Sequence, residues 1–513
     1  MEIKSMDTSS PVVADPQADR REVVLKAASK TASTRFFPEQ AAAFDLTLKN
    51  QTGAAEAVLA IDGNMTTPLV RAFDAKGELL FEKSGGDMGE RIAGGMGPIV
   101  PPPPQTITLE PGGSESLWVN LWTYHEPLHL GAYGFEAAHH LKAAGGPLLV
   151  SNRIPFEIVP ARVLSAALGY ESSTRMASTL AWIAAPKDDR AAPRLLVRLS
   201  AFGNHSSVQQ GATDLGEVPK DARLSVSQIP PDGKANWLGW VAVVTPHGVE
   251  LVRHNMTQLM TRTGPLALPI ADAVPIPRFP DRQHAVFLAT GRGASGPLLV
   301  GVAAPPSGAP GPVWTVPLGA SPQMAVCAFG MSGPISVLLS SDDGQSTRVS
   351  RVDVDESGAV ISPEQVVRTT PNRVIALAVD MRPRAPQSFV ILESNRTMPD
   401  RLALTRLPLV GAPPPIVALA PLGGWPAEGE NAARRALPAE AIAVEVGLDG
   451  LPRAALTDAR GRLFGGALDG TPLALLSDGG GAKALFPHLA AMSASIEIAC
   501  FTEEGFLFHA GGH

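Results

Sequence analysis

The chain has 513 residues, of which 45% are hydrophobic, and its formal net charge at pH 7 is −7. This length exceeds what one core usually holds and predicts two or three domains, while the mildly acidic charge argues against a nucleic-acid-binding surface. The 50 glycines and 48 prolines follow no collagen-like period, so we interpret them as turn residues of a strand-rich fold.

Residues 1–20 are polar and rich in Pro, Asp and Ser, and they are expected to form a loose tail. They contain no apolar core of the kind that a signal peptide needs, so a cytoplasmic protein is expected unless a leader has been removed. No stretch of 18 continuous apolar residues occurs, so no membrane-spanning helix is expected.

Residues 21–162 alternate short strand patterns with turn residues and predict a first β domain of about seven strands. The pattern of FDLTLKN (44–50) alternates apolar and polar residues, as a half-buried strand does. Asp74–Gly77 predicts a hairpin turn between PLVRAFD and ELLFEK, and Pro111–Gly113 separates two more strands. The domain ends with LLVSNRIPFEIVP (148–160).

This region resembles the immunoglobulin-like sandwiches of many bacterial proteins, on the NQTG turn after FDLTLKN, on LEPGGSESL and on LHLGAYGFEA. The resemblance implies an architecture and no activity, and the inter-sheet cysteines and core tryptophan of antibody domains are not evident. Tyr133 is expected either to make the corner hydrogen bond of such sandwiches or to be an ordinary half-buried strand tyrosine.

An insertion at 84–104 interrupts this domain with glycines and four consecutive prolines. It predicts a long surface loop, with a partner-binding loop as the alternative.

Residues 163–513 repeat short apolar runs and turns in modules of roughly 45–60 residues, and they resemble a β-propeller with six or seven blades. The Trp-Asp and kelch signatures are missing. Candidate inner strands begin near Thr179, Arg223, His284, Met324, Ile375, Ala441 and Ser495. An Ala-rich segment, 426–443, predicts a short helix between blades.

The C-terminal segment 495–512 offers only two strands. We therefore predict that it pairs with residues near 164–203 in one composite blade, which would close the ring. The same hypothesis expects the propeller to fold without residues 1–160.

The best candidate site is a calcium loop formed by Asp353, Asp355, Ser357 and Glu364, with Gly358 at its sixth position. These oxygen ligands have the spacing of a twelve-residue loop. However, strand patterns flank the motif where helices would be needed. This context favours an ordinary hairpin turn, with a calcium-binding turn as the alternative.

Three other patterns are weaker. His125, His129, His139 and His140 are common ligand types for transition metals, but no cysteine or HExxH helix accompanies them, which favours surface or loop histidines. Gly291–Gly296 matches GxGxxG by letter, but a strand pattern follows it, which favours a hairpin. Trp237 and Trp240 form either an exposed platform or part of a blade core.

These observations favour a non-catalytic protein-binding or scaffolding protein, a subunit of a larger assembly, with no nucleic-acid partner and no cofactor other than calcium at the turn. The alternative is a propeller hydrolase or lyase with its site in the central channel. Acidic or histidine side chains clustered at the channel mouth would favour the enzyme. A large apolar patch on a blade edge would favour the scaffold. Cys327 and Cys500 are expected to be buried free thiols.

Overall fold

The computed structural model describes residues 23–30, 34–61, 68–84, 105–125, 127–142, 147–170, 178–187, 192–200, 211–229, 238–254, 259–277, 285–305, 308–329, 333–380, 382, 387–398, 401–409, 417–418, 442–447, 449–458, 461–478, 484–491 and 496–512. The predicted N-terminal tail, the loop at 85–104 and residues 426–441 of the Ala-rich segment lie outside these ranges.

The described residues form strands and turns with a single short 3-10 helix, Leu121–Thr123, so the fold is all-β as predicted. None of the described segments forms an apolar helix of membrane-spanning length. The chain divides into two compact units. The first contains Met1–Arg35, Ala42–Glu126 and Gly131–Glu157, and the second contains Phe36–Ala41, Pro127–Leu130 and Ile158–His513.

Eleven strands precede residue 159. They are β1 (Val23–Ser29), β2 (Arg35–Phe36), β3 (Ala43–Asn50), β4 (Glu56–Leu59), β5 (Leu69–Phe73), β6 (Leu79–Lys83), β7 (Thr106–Leu109), β8 (Ser114–Asn120), β9 (Gly131–His140), β10 (Leu148–Val150) and β11 (Ile154–Ile158). One sheet has the order β1-β3-β8 and another has the order β2-β11-β9-β5-β6, with β10 paired to β9, while β4 pairs with β7.

The two larger sheets bury their apolar faces against each other. Phe44 of β3 stacks on Phe135 of β9 with ring centroids 3.9 Å apart, and both side chains are fully buried. The predicted turn at Asp74–Gly77 joins β5 and β6. There the Asp74 carboxylate accepts hydrogen bonds from the backbone N–H of Lys76 and Glu78, and Gly77 has a φ of 85°.

The second unit is built from seven antiparallel sheets in the described residues, each made of strands consecutive in the chain. Sheet 1 contains β12 (Ala161–Tyr170), β13 (Ser178–Pro186), β14 (Arg194–Ser200) and β15 (Thr213–Glu217). Sheet 2 contains β16 (Arg223–Ile229), β17 (Leu238–Thr245), β18 (Gly248–His254) and β19 (Leu259–Arg262). Sheet 3 contains β20 (Ala271–Pro275), β21 (Ala285–Gly293), β22 (Gly296–Ala304) and β23 (Val313–Pro317).

The remaining four sheets follow the same order. Sheet 4 contains β24 (Met324–Phe329), β25 (Ile335–Asp342), β26 (Thr347–Val354) and β27 (Val360–Thr370). Sheet 5 contains β28 (Arg373–Asp380), β29 (Ser388–Ser394), β30 (Leu402–Pro408) and β31 (Val417–Ala418). Sheet 6 contains β32 (Ile442–Val446), β33 (Pro452–Thr457), β34 (Leu463–Ala467) and β35 (Ala474–Ser477), and sheet 7 contains β36 (Leu485–Ala491), β37 (Ile496–Phe501) and β38 (Leu507–Gly512).

A separate apolar core fills the space between each pair of successive sheets, and one more core joins sheet 7 to sheet 1. In this closing core Trp182 of β13 and Phe501 of β37 are fully buried, with ring centroids 5.2 Å apart. Seven radially arranged sheets whose last member packs on the first form a closed β-propeller.

The predicted composite blade is wrong. Residues 161–217 form a complete four-stranded sheet of their own, and the C-terminal strands pair with β36 to make a three-stranded sheet. Side-chain packing therefore closes the ring where we expected strand pairing. The backbone N–H of Ala161 also donates to the Glu504 carbonyl oxygen at 3.0 Å across the same boundary.

Three of the seven candidate inner strands are also wrong, because Thr179, His284 and Ser495 lie in or immediately before second strands. In sheet 5 the second strand, β29, is buried at all seven positions, whereas the first strand, β28, alternates between buried and more exposed positions. Because β29 has a strand on either side, it is more completely buried than β28 or β30, although its sequence SFVILES is no more apolar than that of β28.

A short segment far from sheets 1 and 7 in sequence also contributes to their boundary. We call Phe36–Ala41 the seam segment. Phe37 packs in the closing core, and the backbone of Ala212 exchanges hydrogen bonds with Glu39 and Ala41. The Glu39 carboxylate binds Arg198 of β14 at 3.1 Å and accepts from the backbone N–H of Leu507 in β38 at 3.3 Å. The seam segment thus bonds to the first and last sheets together.

Candidate functional site

The first strands of all seven sheets line a central cavity of about 720 Å³. Its walls are mainly aliphatic, with contributions from Leu168, Leu224, Ile276, Met324, Leu377 and Val444. Polar lining side chains include Lys220, Asp221, Arg223, Glu445 and His488. The volume lies in the range of small-molecule pockets, and the lining favours contact with apolar groups. Throughout the described ranges, no three His, Cys, Asp or Glu side chains are placed to hold one metal ion.

The calcium-loop candidate lies at the hairpin between β26 and β27. The Asp355 carboxylate accepts the Ser357 hydroxyl at 2.7 Å and the backbone N–H of Ser357 and Ala359 at 2.8 and 2.9 Å. The Ser357 hydroxyl and the backbone bonds lower the pKa of Asp355. The segment is therefore a hairpin turn fixed by its own aspartate.

The other two candidate ligands have partners outside the turn. The Asp353 carboxylate accepts two hydrogen bonds from the Arg351 guanidinium, at 2.8 and 3.0 Å. The Glu364 carboxylate accepts the Ser350 hydroxyl at 2.6 Å and the Gly319 N–H at 2.5 Å. The structure thus brings Asp355 and Ser357 together and bonds Asp353 and Glu364 elsewhere. Calcium binding at this turn stays the alternative hypothesis.

The four histidines occupy different surroundings. His125 stacks on Phe81 with ring centroids 4.3 Å apart. His139 is buried, its Nε2 lies 3.1 Å from a backbone carbonyl oxygen, and burial lowers its pKa. His129 packs edge-on against an aromatic ring, whereas His140 is exposed. The four histidine side chains therefore have separate surroundings and do not converge on a common metal site.

Two other sequence patterns, the glycine-rich segment and the tryptophan pair, concern sheets 2 and 3. The residues of Gly291–Gly296 belong to the hairpin between β21 and β22, which pairs Gly293 with Gly296 across a two-residue turn, as the sequence predicts. Trp240 is 1% exposed in the core between sheets 2 and 3, which confirms the blade-core alternative for this residue. Trp237 lies outside the described residues.

The outermost strand of sheet 4 is an apolar surface that none of the sequence motifs indicates. β27 has eleven residues, whereas the other outermost strands of the described propeller sheets have two to six. Its exposed side chains include Val360 (49% exposed), Ile361 (57%), Val366 (48%) and Val367 (41%). Elsewhere in the described part of the second unit, no strand has more than two large hydrophobic side chains this exposed. We call these four residues the apolar edge.

Both charged side chains of β27 bond inward. Glu364 binds Ser350 and Gly319, as described above. Arg368 donates to Glu393 of β29 at 2.7 Å, and the Glu393 side chain is fully buried. The outward surface of β27 therefore lacks the exposed lysines that commonly protect an edge strand from pairing. The apolar residues of VISPEQVVRTT are visible in the sequence, but the sequence alone does not show that this strand lies at the edge of its sheet.

No protein-family model and no curated protein matches the chain. Solved propeller structures match it at low similarity. A six-bladed lectin from Aleuria aurantia with a fucose recognition mode is 9% identical over 62% of this chain and 94% of the lectin, with a TM-score of 0.37. An α-L-arabinanase from Penicillium chrysogenum is 11% identical over 68% of this chain and 93% of the arabinanase, with a TM-score of 0.31. Similarity at this level identifies neither a family nor an activity for this chain.

Proposed function

We propose that this chain is a non-catalytic protein-binding protein, a subunit of a larger assembly, and that it binds its partner through the apolar edge of sheet 4. The observation that carries this proposal is the clustering of Val360, Ile361, Val366 and Val367 on one long outermost strand. A propeller sheet presents such a strand rigidly, because its inner strands are fixed between neighbouring sheets.

Both the exposed side chains and the unpaired backbone of β27 favour a bound partner. Exposed aliphatic side chains grouped on one strand favour a contact that removes them from water. An edge strand also has backbone groups that no neighbouring strand satisfies, and a partner strand can pair with them. Arg368 is paired with Glu393, and the Glu364 carboxylate already accepts two hydrogen bonds within the chain, so neither side chain has to leave its partner when β27 is covered. We therefore propose a protein partner with an apolar strand or surface.

We also propose that the first unit is an immunoglobulin-like sandwich. Its two larger antiparallel sheets and the buried stack of Phe44 on Phe135 support this architecture. Tyr133 is half-buried in β9, where its ring packs against Phe156 with centroids 5.5 Å apart. A second rigid β unit in the same chain fits a scaffolding role.

The test compares two matched double variants. Val366→Lys with Val367→Lys charges the apolar edge, and Leu259→Lys with Met260→Lys charges the next most apolar outermost strand, β19, where both residues are 41% exposed. Each protein is purified natively and the co-purifying proteins are identified, then rebound in purified form. We expect one partner that the β27 variant loses and the β19 variant retains. Equal binding by both variants would refute the proposal.

The alternative is a hydrolase or lyase acting in the central cavity. The 720 Å³ volume and the presence of Arg223, Glu445 and His488 on its walls support this hypothesis, while the aliphatic character of the remaining lining favours apolar contact over catalysis. An activity screen with wild type and Glu445→Gln discriminates between the two functions. A turnover that Glu445→Gln abolishes without loss of folding would establish the enzyme.

A further inference from the structure

The central cavity has two chemically different walls, which together indicate the class of ligand that it holds. We infer that the cavity binds a small hydrophobic carboxylic acid. The apolar body of this acid lies on the first strands of sheets 4 to 6, and its carboxylate binds Arg223 of sheet 2. The inference goes beyond the proposed function, because it concerns the innermost strands and not the apolar edge.

The first strand of sheet 5 is apolar on both of its faces. In β28 buried positions alternate with half-buried ones, and the half-buried residues Ile375, Leu377 and Val379 all line the cavity. A strand that faces bulk water is different in this chain, because the exposed positions of β3 are occupied by Asp45 and Lys49. The cavity side of β28 therefore has the composition that a strand shows against an apolar partner.

The neighbouring first strands extend this surface. In β24, Met324 and Val326 are half-buried and line the cavity. In β32, Ile442 and Val444 do the same. Each of these side chains packs partly against a core between two sheets and presents the rest of its surface to the cavity. We call these residues of β24, β28 and β32 the apolar wall. A hydrophobic molecule that covers the apolar wall removes it from water, which is favourable.

Sheet 2 supplies the opposite, charged wall. Successive sheets pack on one another around the ring, so sheet 2 lies across the cavity from sheets 5 and 6. Its lining residues include Lys220, Asp221 and Arg223, which together carry one net positive charge. Arg223 is exposed, and its guanidinium has no hydrogen-bond or ion-pair partner among the described residues. A guanidinium can hold a carboxylate through two parallel N–H···O bonds.

The remaining ionisable groups and the volume narrow the choice of ligand. Glu445 and His488 line the cavity from sheets 6 and 7. An anion beside Glu445 would meet a like charge, so sheet 2 suits the ligand carboxylate better. The volume of about 720 Å³ accommodates a molecule of drug size or smaller. A hydrophobic acid matches both walls, whereas a hydrocarbon leaves Arg223 unpaired and a sugar acid places hydroxyl groups against the apolar wall.

Three probes and two matched arginine variants test the charged wall. Decanoate, decan-1-ol and acetate are titrated into the full-length protein at neutral pH, below the micellar range, and binding is measured by calorimetry. Arg223→Gln removes the proposed anchor. Arg292→Gln removes an exposed arginine of β21 that also has no partner in the described chain and does not line the cavity.

We expect one decanoate site per chain, weaker binding of decan-1-ol and no saturable binding of acetate. Arg223→Gln should weaken decanoate binding about tenfold, because a charge-assisted hydrogen bond is lost, and should change decan-1-ol binding less than about twofold. Arg292→Gln should alter neither.

A second pair of variants tests the apolar wall. Leu377→Asn keeps the size of the side chain but places an amide on the wall, and we expect it to weaken decanoate and decan-1-ol alike, about tenfold. Leu475→Asn makes the same change on β35, where Leu475 is 52% exposed, and should affect neither probe. Melting temperatures verify that each variant is folded. If Leu377→Asn unfolds the protein, Met324→Gln makes the same test on β24.

Four outcomes would overturn the inference. They are no saturable decanoate binding by wild type, equal effects of the two arginine variants, acetate binding as tight as decanoate binding, and folded apolar-wall variants that bind both probes normally. None of these measurements involves β27. Loss of a partner by Val366→Lys with Val367→Lys would therefore support the proposed function even if decanoate does not bind, and retention of every partner would refute it even if decanoate binds as expected.

Discussion

Removal of Arg198 should destabilise the propeller at the boundary between its first and last sheets. The Arg198 guanidinium lies 3.1 Å from the Glu39 carboxylate, and the two side chains are 14% and 6% exposed. Arg198→Ala leaves that carboxylate buried with a single donor, the Leu507 N–H. Breaking a buried ion pair by removing one partner costs about 3–5 kcal/mol, and the residual solvent at Arg198 places this case near the lower end.

The sign of the pH dependence follows from the same surroundings. Burial raises the pKa of Glu39, while the Arg198 charge and the Leu507 N–H act to lower it. Without Arg198 the pKa rises further, so the folded state takes up a proton more readily than the unfolded state does. Stability of Arg198→Ala therefore increases as the pH falls from neutral toward the ordinary range of a glutamate, and the penalty shrinks.

Urea unfolding followed by tryptophan fluorescence measures this penalty, because Trp182 lies in the closing core. We expect a loss of about 3 kcal/mol at neutral pH, a smaller loss near about pH 5, and recovery of about 2 kcal/mol when Glu39→Gln is combined with Arg198→Ala. The neutral amide needs no ion-pair partner. A loss below about 0.5 kcal/mol that does not change with pH would show that the seam contact is not stabilising.

Four further outcomes are expected. Both cysteines should react with a thiol reagent only after denaturation, because burial raises the pKa of Cys500 to about 12; rapid labelling of native protein would contradict this. Burial raises the pKa of Glu393, but hydrogen bonds from Arg368 and two neighbours lower it more. Urea unfolding should therefore show that Glu393→Gln costs about 2 kcal/mol at neutral pH, and progressively less as acid protonates the wild-type carboxylate. A loss of stability that does not change with pH would contradict this prediction. Saturating calcium should leave the melting temperature nearly unchanged, and a rise of several degrees that Asp353→Ala abolishes would overturn the hairpin interpretation. Deletion of residues 494–513 removes β37 and β38 and should cause unfolding or aggregation, whereas a monomer with an unchanged melting temperature would argue against ring closure.

Local patterns predicted many of the strands and turns correctly. Alternation in FDLTLKN corresponds to β3, and Asp74–Gly77 forms the expected turn. Arg223 and Met324 begin first strands as predicted. Such features depend on neighbours within a few residues, where side-chain periodicity and turn preferences act directly.

Contacts between distant segments could not be predicted in the same way. No local pattern connects Glu39 with Arg198 or Leu507, because an ion pair and a backbone bond leave no periodic trace in the sequence. The apolar edge could not be predicted from the sequence for a related reason. The valines of β27, such as Val366 and Val367, are residues that an interior strand would also contain. Only the topology of sheet 4 shows that no described strand pairs with the outer edge of β27.

The seam segment has a consequence for how the protein is made. The bond from the Leu507 N–H to Glu39 joins residues 468 positions apart, so a growing chain cannot form it until synthesis is almost complete. Early sheets can fold as they leave the ribosome, but the boundary between sheets 1 and 7 has to wait. A fragment that begins at residue 161 lacks Phe36–Ala41, so we expect the loss of residues 1–160 to weaken the boundary between sheets 1 and 7. The interval before closure is when newly made protein is most exposed to aggregation and to chaperones.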